Sequence, residues 1–292
     1  MQNKTITLPI DQPLDGRKIR YILRNHLGFS AALTKRLKDT EDGILLNGSS
    51  AQTDRQVHTG DVLVLTLRDD NSAHIEPREL PLDILYEDED IIAVNKPPGM
   101  PSHPSQNHHH DTLANGLMYY FRNRSFTVRV ITRLDRETSG VVLVAKHSLA
   151  AQRLSDAMQA QKIDKEYIAA VNGKPNPERG RISAPIARQE GSVILRCVAR
   201  NGKEAVTDYE TIETKNGRSL VRLQPRTGRT HQLRVHMSHI GTPIYGDDLY
   251  GARQMGERTR LHCGSISFSH PMTGEPISIV APIPEDITTL FL

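Results

Sequence analysis

One carboxylate, Asp135, stands between two arginines, Arg133 and Arg136, in the stretch TRLDRETSG that runs from Thr132 to Gly140. A carboxyl group held in a positive field stays ionised even when partly buried, which suits a nucleophile or a base better than an acid catalyst. An ordinary surface ion-pair loop has the same composition, and the segment by itself does not separate the two.

The neighbouring elements decide how such a residue would be held. Val141-Val142-Leu143-Val144 reads as a buried strand, because a short run of mostly β-branched side chains fits a sheet interior. Ser139-Gly140 reads as a tight turn into it, so Asp135 is expected on a loop at the mouth of a sheet. A second segment, LQPRTGRTHQLRVH from Leu223 to His236, carries Arg229 and Arg234, which lie five apart and so do not share one helical face. Thr227-Gly228 can form a turn whose backbone N–H groups, at a helix N-terminus, suit a phosphate, with Arg229 adding charge. Arg234, between Leu233 and Val235, either points inward, where a guanidinium needs a carboxylate partner, or contacts phosphate at the surface.

Composition bounds the rest. At 292 residues, with 37% hydrophobic and 24% charged residues, the chain has room for one large soluble domain and a smaller one. No apolar run approaches the ~20 residues that cross a bilayer. The N-terminal MQNKTITLPI lacks the apolar core of a secretion signal. Cys197 and Cys263 form neither a metal spacing nor a disulfide framework, so a reducing cytosol is expected. No dinucleotide fingerprint and no GK[ST] loop is present, so no cofactor is expected. The net charge is only +3, but its distribution is uneven: Arg17 to Lys38 holds seven Lys or Arg and no acid, and Thr214 to Gly246 holds six and no acid. Such segregation suggests contact with a polyanion.

Residues 14–68 read as a small unit. Ile19, Ile22, Leu23 and Leu27 mark one face of a helix between Leu14 and Leu27. Ser30 can cap a second helix through Leu33 and Leu37, with Lys35, Arg36 and Lys38 on other faces. Ile44-Leu45-Leu46, the Asn47-Gly48 turn and Val62 to Leu65 complete it as short strands. Residues 69–81, polar and holding two prolines, read as a tethering linker. Residues 82–292 form the larger domain. Strands are expected at Ile91–Val94, Tyr167–Val171, Val193–Val198, Ala205–Ile212, Leu220–Leu223 and Ile277–Val280. Helices are expected after an Asp111 cap, after a Ser148 cap to about Gln161, and over Thr230–Ile240. Without regular βαβ alternation this is an α+β domain, a mixed, largely antiparallel sheet with flanking helices.

TRLDRETSG followed by VVLVAK resembles the catalytic motif of the RluA-like family of RNA pseudouridine synthases, usually HRLDRxTSG; Thr132 stands where that family has His. YEDEDIIAVNKPPGMPSHPS, KEYIAAV, GKEAVTDY, LQPRTGRTHQLRVH, GTPIYGDDLYG and LHCGSISFSHPMTG resemble further family segments, in order. The likeness spans about 210 residues. Residues 14–68 resemble the S-four-like RNA-binding domain that often precedes this catalytic domain; a plain structural subdomain is the alternative.

The resemblance implies Asp135 as nucleophile, held by a bidentate pair with Arg234. It implies Tyr167 with its ring against the target uracil, although a lone strand tyrosine is usually core. It implies Arg133 filling the gap left by the flipped nucleotide, and Arg136, Arg229, Lys35, Arg36 and Lys38 are expected to face RNA. His108-His109-His110 is expected to be a solvated or RNA-contacting loop and no metal is expected. The expected function is isomerisation of uridine to pseudouridine in structured RNA by a cytoplasmic monomer, without cofactor or membrane. Large-subunit ribosomal RNA is the first choice and transfer RNA the second. A non-catalytic RNA-binding or ribosome assembly factor is the competing class.

Overall fold

The apolar run after the acidic loop lies deep in the larger of two principal sheets in a computed structural model of the protein, which describes residues 3–68, 74–124, 126–251 and 257–292. The chain begins with β1 (Asn3–Pro9), then α1 (Ile19–Tyr21), continued by a wider turn over Ile22–His26, and α2 (Ala31–Asp39). β2 (Ile44–Leu46), β3 (Ser49–Ser50) and β4 (Val62–Arg68) follow, and the sheet order is β1-β4-β2-β3. Ser30 caps α2 as its position suggests, accepting the Leu33 N–H at 3.1 Å. Asn47 and Gly48 take φ 51° and 78°, the left-handed pair that a two-residue hairpin turn requires. β1 lies before residue 14, where the sequence reading opens this unit, yet it pairs along its whole length with β4.

The larger body holds β5 (Asp83–Glu87), β6 (Ile91–Lys96), α3 (Leu113–Tyr120), β7 (Arg129–Val130), β8 (Ser139–Ala145), α4 (Ser148–Gln159) and β9 (Asp164–Asn172). After these come β10 (Arg179–Ser183), the small hairpin β11 (Ile186–Arg188) and β12 (Arg196–Val198), β13 (Val206–Lys215) and β14 (Arg218–Pro225). α5 (Gln232–His239), β15 (Leu261–Ser269), β16 (Pro276–Val280) and α6 (Glu285–Thr288) complete it. The main path is β10-β13-β14-β9-β15-β8-β6-β5, with β16 on β15 and β7 on β8. Every described pairing in it is antiparallel except β8 with β15. The mixed, largely antiparallel α+β class holds.

Several local expectations shift. The α3 cap is Thr112, in a reciprocal box with Asn115, while Asp111 instead holds His108 at 2.6 Å. The α4 cap is His147, whose Nδ1 accepts the Ala150 N–H, and Ser148 is already helical. Of Val193–Val198 only Arg196–Val198 is strand, because the preceding residues form the hairpin tip. Ser139-Gly140 is strand rather than turn: Gly140 (φ 110°) lies against β15, where a Cβ would come within 2.2 Å of the Cys263 carbonyl oxygen. The parallel pair therefore needs a residue without a side chain at that point.

The two bodies dock. Leu149 on α4 is wholly buried in the smaller unit's core with Ile22, Leu23 and Leu33. Gln152 binds Gly28 O and Ser30 N, and Lys4 donates to Asp90 at 2.6 Å. The expected linker therefore does more than tether: Ile75 is buried in the larger core and Arg78 N–H donates to Asn115 O. Residues 69–73 of that stretch lie outside the described residues. No described helix is long and apolar enough to cross a membrane.

Candidate active site

Asp135 sits on the loop between β7 and β8, and that loop is fixed from beneath. Ser102 Oγ donates to Leu134 O at 3.1 Å, and Thr138 N–H closes onto Asp135 O at 3.1 Å. The Lys96 ammonium, wholly buried, donates to the carbonyls of Pro97, Met100 and Arg136 at 2.8, 2.8 and 3.1 Å, an acceptor for each of its protons. Burial pushes its pKa down to about 7, against the pull of Glu137 and Asp135. Thr132, the departure from the family pattern, is buried with its Oγ1 accepting the Leu143 N–H at 2.9 Å. It fastens the loop to β8.

α5 supplies the cation. Arg234 is 4% exposed, and its Nη1 stands 3.7 Å from Asp135 Oδ2. The expected bidentate partner is corrected: Nε and Nη2 bond Asp247 at 2.8 and 2.7 Å, and Nη2 also reaches Asp248 at 3.3 Å. The reason is burial. Asp247 is fully enclosed, also accepts the Leu249 and Tyr250 N–H groups, and needs the fork more than Asp135, whose side chain is 32% exposed. Burial alone would lower the Arg234 pKa, but Asp247, with Asp135 and Asp248 behind it, raises it.

Tyr167 lies on β9 between Leu223 of β14 and Cys263 of β15. It is 8% exposed, and burial, then the Cys263 thiol and the Asp135 charge, push its hydroxyl well above 10. Burial likewise takes Cys263 up to about 12. Tyr167 is thus a neutral phenol, able to offer a ring and no base.

Three further expectations need correction or separation. Arg136 turns to Glu137 at 2.9 Å, so the positive charge on Asp135 comes from Arg234 rather than from the two flanking arginines; Arg133 is exposed. In the Thr227–Arg229 turn, Arg229 N–H and Thr227 Oγ1 both bond Gln232 Oε1, and Arg229 Nε donates to Glu204 O, so these three donors are turned inward. Lys35 and Lys38 are exposed on α2 with Arg36 half-buried, in the other body. His108 and His110 pair with separate acids, Asp111 and Glu76. Asp88, Asp90 and His270 do converge. However, His270 Nδ1 accepts the Met272 and Thr273 N–H groups, which leaves the proton on Nε2, and Asp90 Oδ1 is taken by Lys4 and His147. That donor set suits an ion-pair cluster rather than a metal.

Asp247, Lys96 and Ser102 were missed as site residues. Asp247 lies in GTPIYGDDLYG and the other two in the segment around NKPPG, read only as family-like stretches; each acts through backbone or a buried partner that spacing does not display.

The half-exposed Asp135, the buried Arg234 and the buried Tyr167 of β9 make up the candidate active site. Residues 90–239 match the model of the family described as RNA pseudouridylate synthase. The chain is 38% identical over 268 residues to the uncharacterized RNA pseudouridine synthase YjbO of Bacillus subtilis, covering 90% of this chain and 95% of that protein. It is 34% identical over 265 residues to ribosomal large subunit pseudouridine synthase D of Escherichia coli O6:H1, covering 85% of this chain and 81% of the relative. Among solved structures, human RNA pseudouridylate synthase domain containing 1 aligns with TM-score 0.59 at 28% identity, over 74% of this chain and 86% of that one. The chain belongs to the RNA pseudouridylate synthase family, and it is an isomerase.

Proposed function

We propose that this protein converts particular uridines of large-subunit ribosomal RNA to pseudouridine, with Asp135 as the nucleophile. The observation that carries the reading is the Asp135 carboxylate, 32% exposed and 3.7 Å from a guanidinium that Asp247 already holds rigid. A locked cation orients the carboxylate while leaving it open to a reactant. The reaction breaks the bond from ribose carbon 1′ to N1, turns the ring and joins carbon 1′ to carbon 5, with no net redox change. Extruding the base costs about a few kcal/mol; exposed Arg133 beside the loop offsets part of that cost, and the Tyr167 ring stacks on the uracil. Lys35, Arg36 and Lys38 of the smaller body, which resembles an S-four-like module, add phosphate contacts. The ribosomal target rests on relatives about one-third identical that are named for the large subunit.

The Asp135→Asn variant is expected to fold and bind RNA but to form no pseudouridine, measured by chemical mapping; retained turnover rejects the role. Deleting the gene and mapping all stable RNAs tests the target. Loss confined to transfer RNA rejects the ribosomal choice.

A further inference from the structure

His231 is the residue before α5, and it serves the helix through its carbonyl, which accepts the Val235 N–H at 2.9 Å, but not through its side chain. Its backbone is left-handed at φ 57° and its side chain makes no cap hydrogen bond. A small hydroxyl or carboxyl residue would cap better there, and a non-glycine residue in this conformation is strained, a state that concentrates at functional sites. Tyr250 holds the ring in place. His231 Nδ1 is 2.7 Å from the Tyr250 hydroxyl, and the two rings meet edge to face with centroids 5.6 Å apart.

The direction of that bond follows from its surroundings. The Tyr250 hydroxyl accepts the Arg196 backbone N–H at 2.9 Å, so its own proton is aimed at His231 Nδ1. Nδ1 is then the acceptor, and the neutral imidazole carries its proton on Nε2. Burial lowers the pKa of the ring; Asp135 pulls the other way, and Arg234 and Arg196 add to burial. Nε2 has no hydrogen-bond partner among the described residues and is not one of their fully buried unpartnered atoms. Arg234 links the His231–Tyr250 pair to the carboxylate: its guanidinium lies 5.3 Å from the centroid of the Tyr250 ring and 3.7 Å from Asp135 Oδ2.

Resting on the role given above to Asp135, we propose that His231 Nε2–H donates a hydrogen bond to a carbonyl oxygen of the target uracil and stabilises the charge that builds there as the base leaves ribose. When the bond from carbon 1′ to N1 breaks, its electron pair stays on N1 and spreads onto the ring carbonyl oxygens. Carbon 1′ is meanwhile taken by an Asp135 oxygen, or the carbon 2′ proton passes to the Asp135 carboxylate and its bonding pair closes a double bond to carbon 1′. A neutral N–H donor strengthens as the oxygen gains charge, and it surrenders no proton. The base can then turn and bond to carbon 1′ through carbon 5 as the carbon 1′–Asp135 bond breaks and the carboxylate leaves, or as Asp135 returns the proton to carbon 2′. Carbon 5 then loses its proton and N1 gains one.

The test compares single-turnover rates and RNA Kd for the wild-type chain, His231→Leu, His231→Gln and Tyr250→Phe. The substrate is a transcript spanning the uridines left unmodified in the deletion strain. Loss of one such donor is expected to slow His231→Leu about 100-fold, with Kd changed by less than about twofold. The Gln variant, which keeps an N–H donor, recovers about tenfold or more of that loss, and Tyr250→Phe, which frees the tautomer, loses about tenfold. A wild-type rate in His231→Leu, a Kd that rises in step with the lost rate, or a Gln variant no faster than Leu overturns the proposal. If the Leu variant does not fold, as judged by a thermal melt, the Gln and Phe variants decide it: wild-type rates in both overturn it. Turnover by the wild type with an unaffected His231→Leu rejects His231 alone. A wild type inactive on every RNA, or an active Asp135→Asn, rejects the Asp135 role and this inference with it.

Discussion

Arg234 can face Asp135 as a fixed cation only because Asp247 already satisfies it. The guanidinium is 4% exposed and makes both of its short carboxylate bonds to a residue with no exposure at all. Asp247→Ala would strand that charge in a poorly solvated place and free the arginine to swing. Breaking a buried pair from one side costs about 3–5 kcal/mol, so the unfolding free energy of Asp247→Ala, read from its urea midpoint, is expected to fall by that amount, and pseudouridine formation with it. An unchanged midpoint would mean that Asp135 or Asp248 can take over the fork. Asp135, Arg234 and Tyr167 were singled out because the long segments around them resemble a known family, not because their residue types are unusual for strand or loop. Asp247 was not, because two adjacent acids before a tyrosine look like a solvated turn until the chain path brings one beneath α5. Thr132 likewise shows its use only once Leu143 N–H is seen to need an acceptor.

At the scale of elements, the alternation and cap signals placed most strands and helices within a few residues. They could not say which strands are neighbours, because pairing depends on contacts far apart in sequence. β1 shows the weaker side of pattern reading: Ile6 and Leu8 face inward and Thr5 and Thr7 outward, a period-two signal easily lost in a polar N-terminus. Gly140 shows how a correct residue can carry the wrong reason. It suits a turn in isolation, but in the molecule it lets β8 run beside β15, with Cys263 O 2.2 Å from where a Cβ would be. Tyr167 pairs with the same Cys263 from the other side of β15, so this contact joins the acidic loop to the aromatic floor. Gly140→Ala must distort one of those strands and hold alanine at a positive φ. Strain and overpacking together amount to about 3–5 kcal/mol. The variant is expected to melt well below the wild type and to lose activity; a melting temperature within a degree or two of wild type would show that β15 can move away without penalty.

The whole molecule is joined by a buried hydrophobic contact and a charge cluster, and they answer to different tests. Removing residues 1–75 bares Leu149, wholly buried in the smaller core, so the remaining body is expected to lose about 2 kcal/mol or more on that account. A unit that was only tethered would leave the melt of the larger body unchanged. Acid should act through buried histidines first. His262 has no exposure, holds Ser139 Oγ at 3.0 Å, and is pushed down to about 4 by burial, which the Ala281 carbonyl only partly opposes. His236, bonded to Thr207 Oγ1 and Ala184 O, is lowered by burial in the same direction. Between about pH 6.5 and 4 the unfolded chain takes up a proton that folded His262 refuses. Stability is therefore full above that window and falls as pH drops through it, by on the order of 3 kcal/mol for this one group. Asp90 acts lower: burial raises its carboxyl, but the bonds from His147 and Lys4 outweigh that and hold it at about 2. Its contribution is present above the ordinary carboxylate range and lost as pH falls toward 2, loosening the junction between the bodies. Urea midpoints measured from pH 7 to pH 4 should fall steadily, and His262→Gln, which cannot titrate, should flatten that fall. Equal slopes in the two proteins would mean that the acid sensitivity lies elsewhere than beneath the β8–β15 pair.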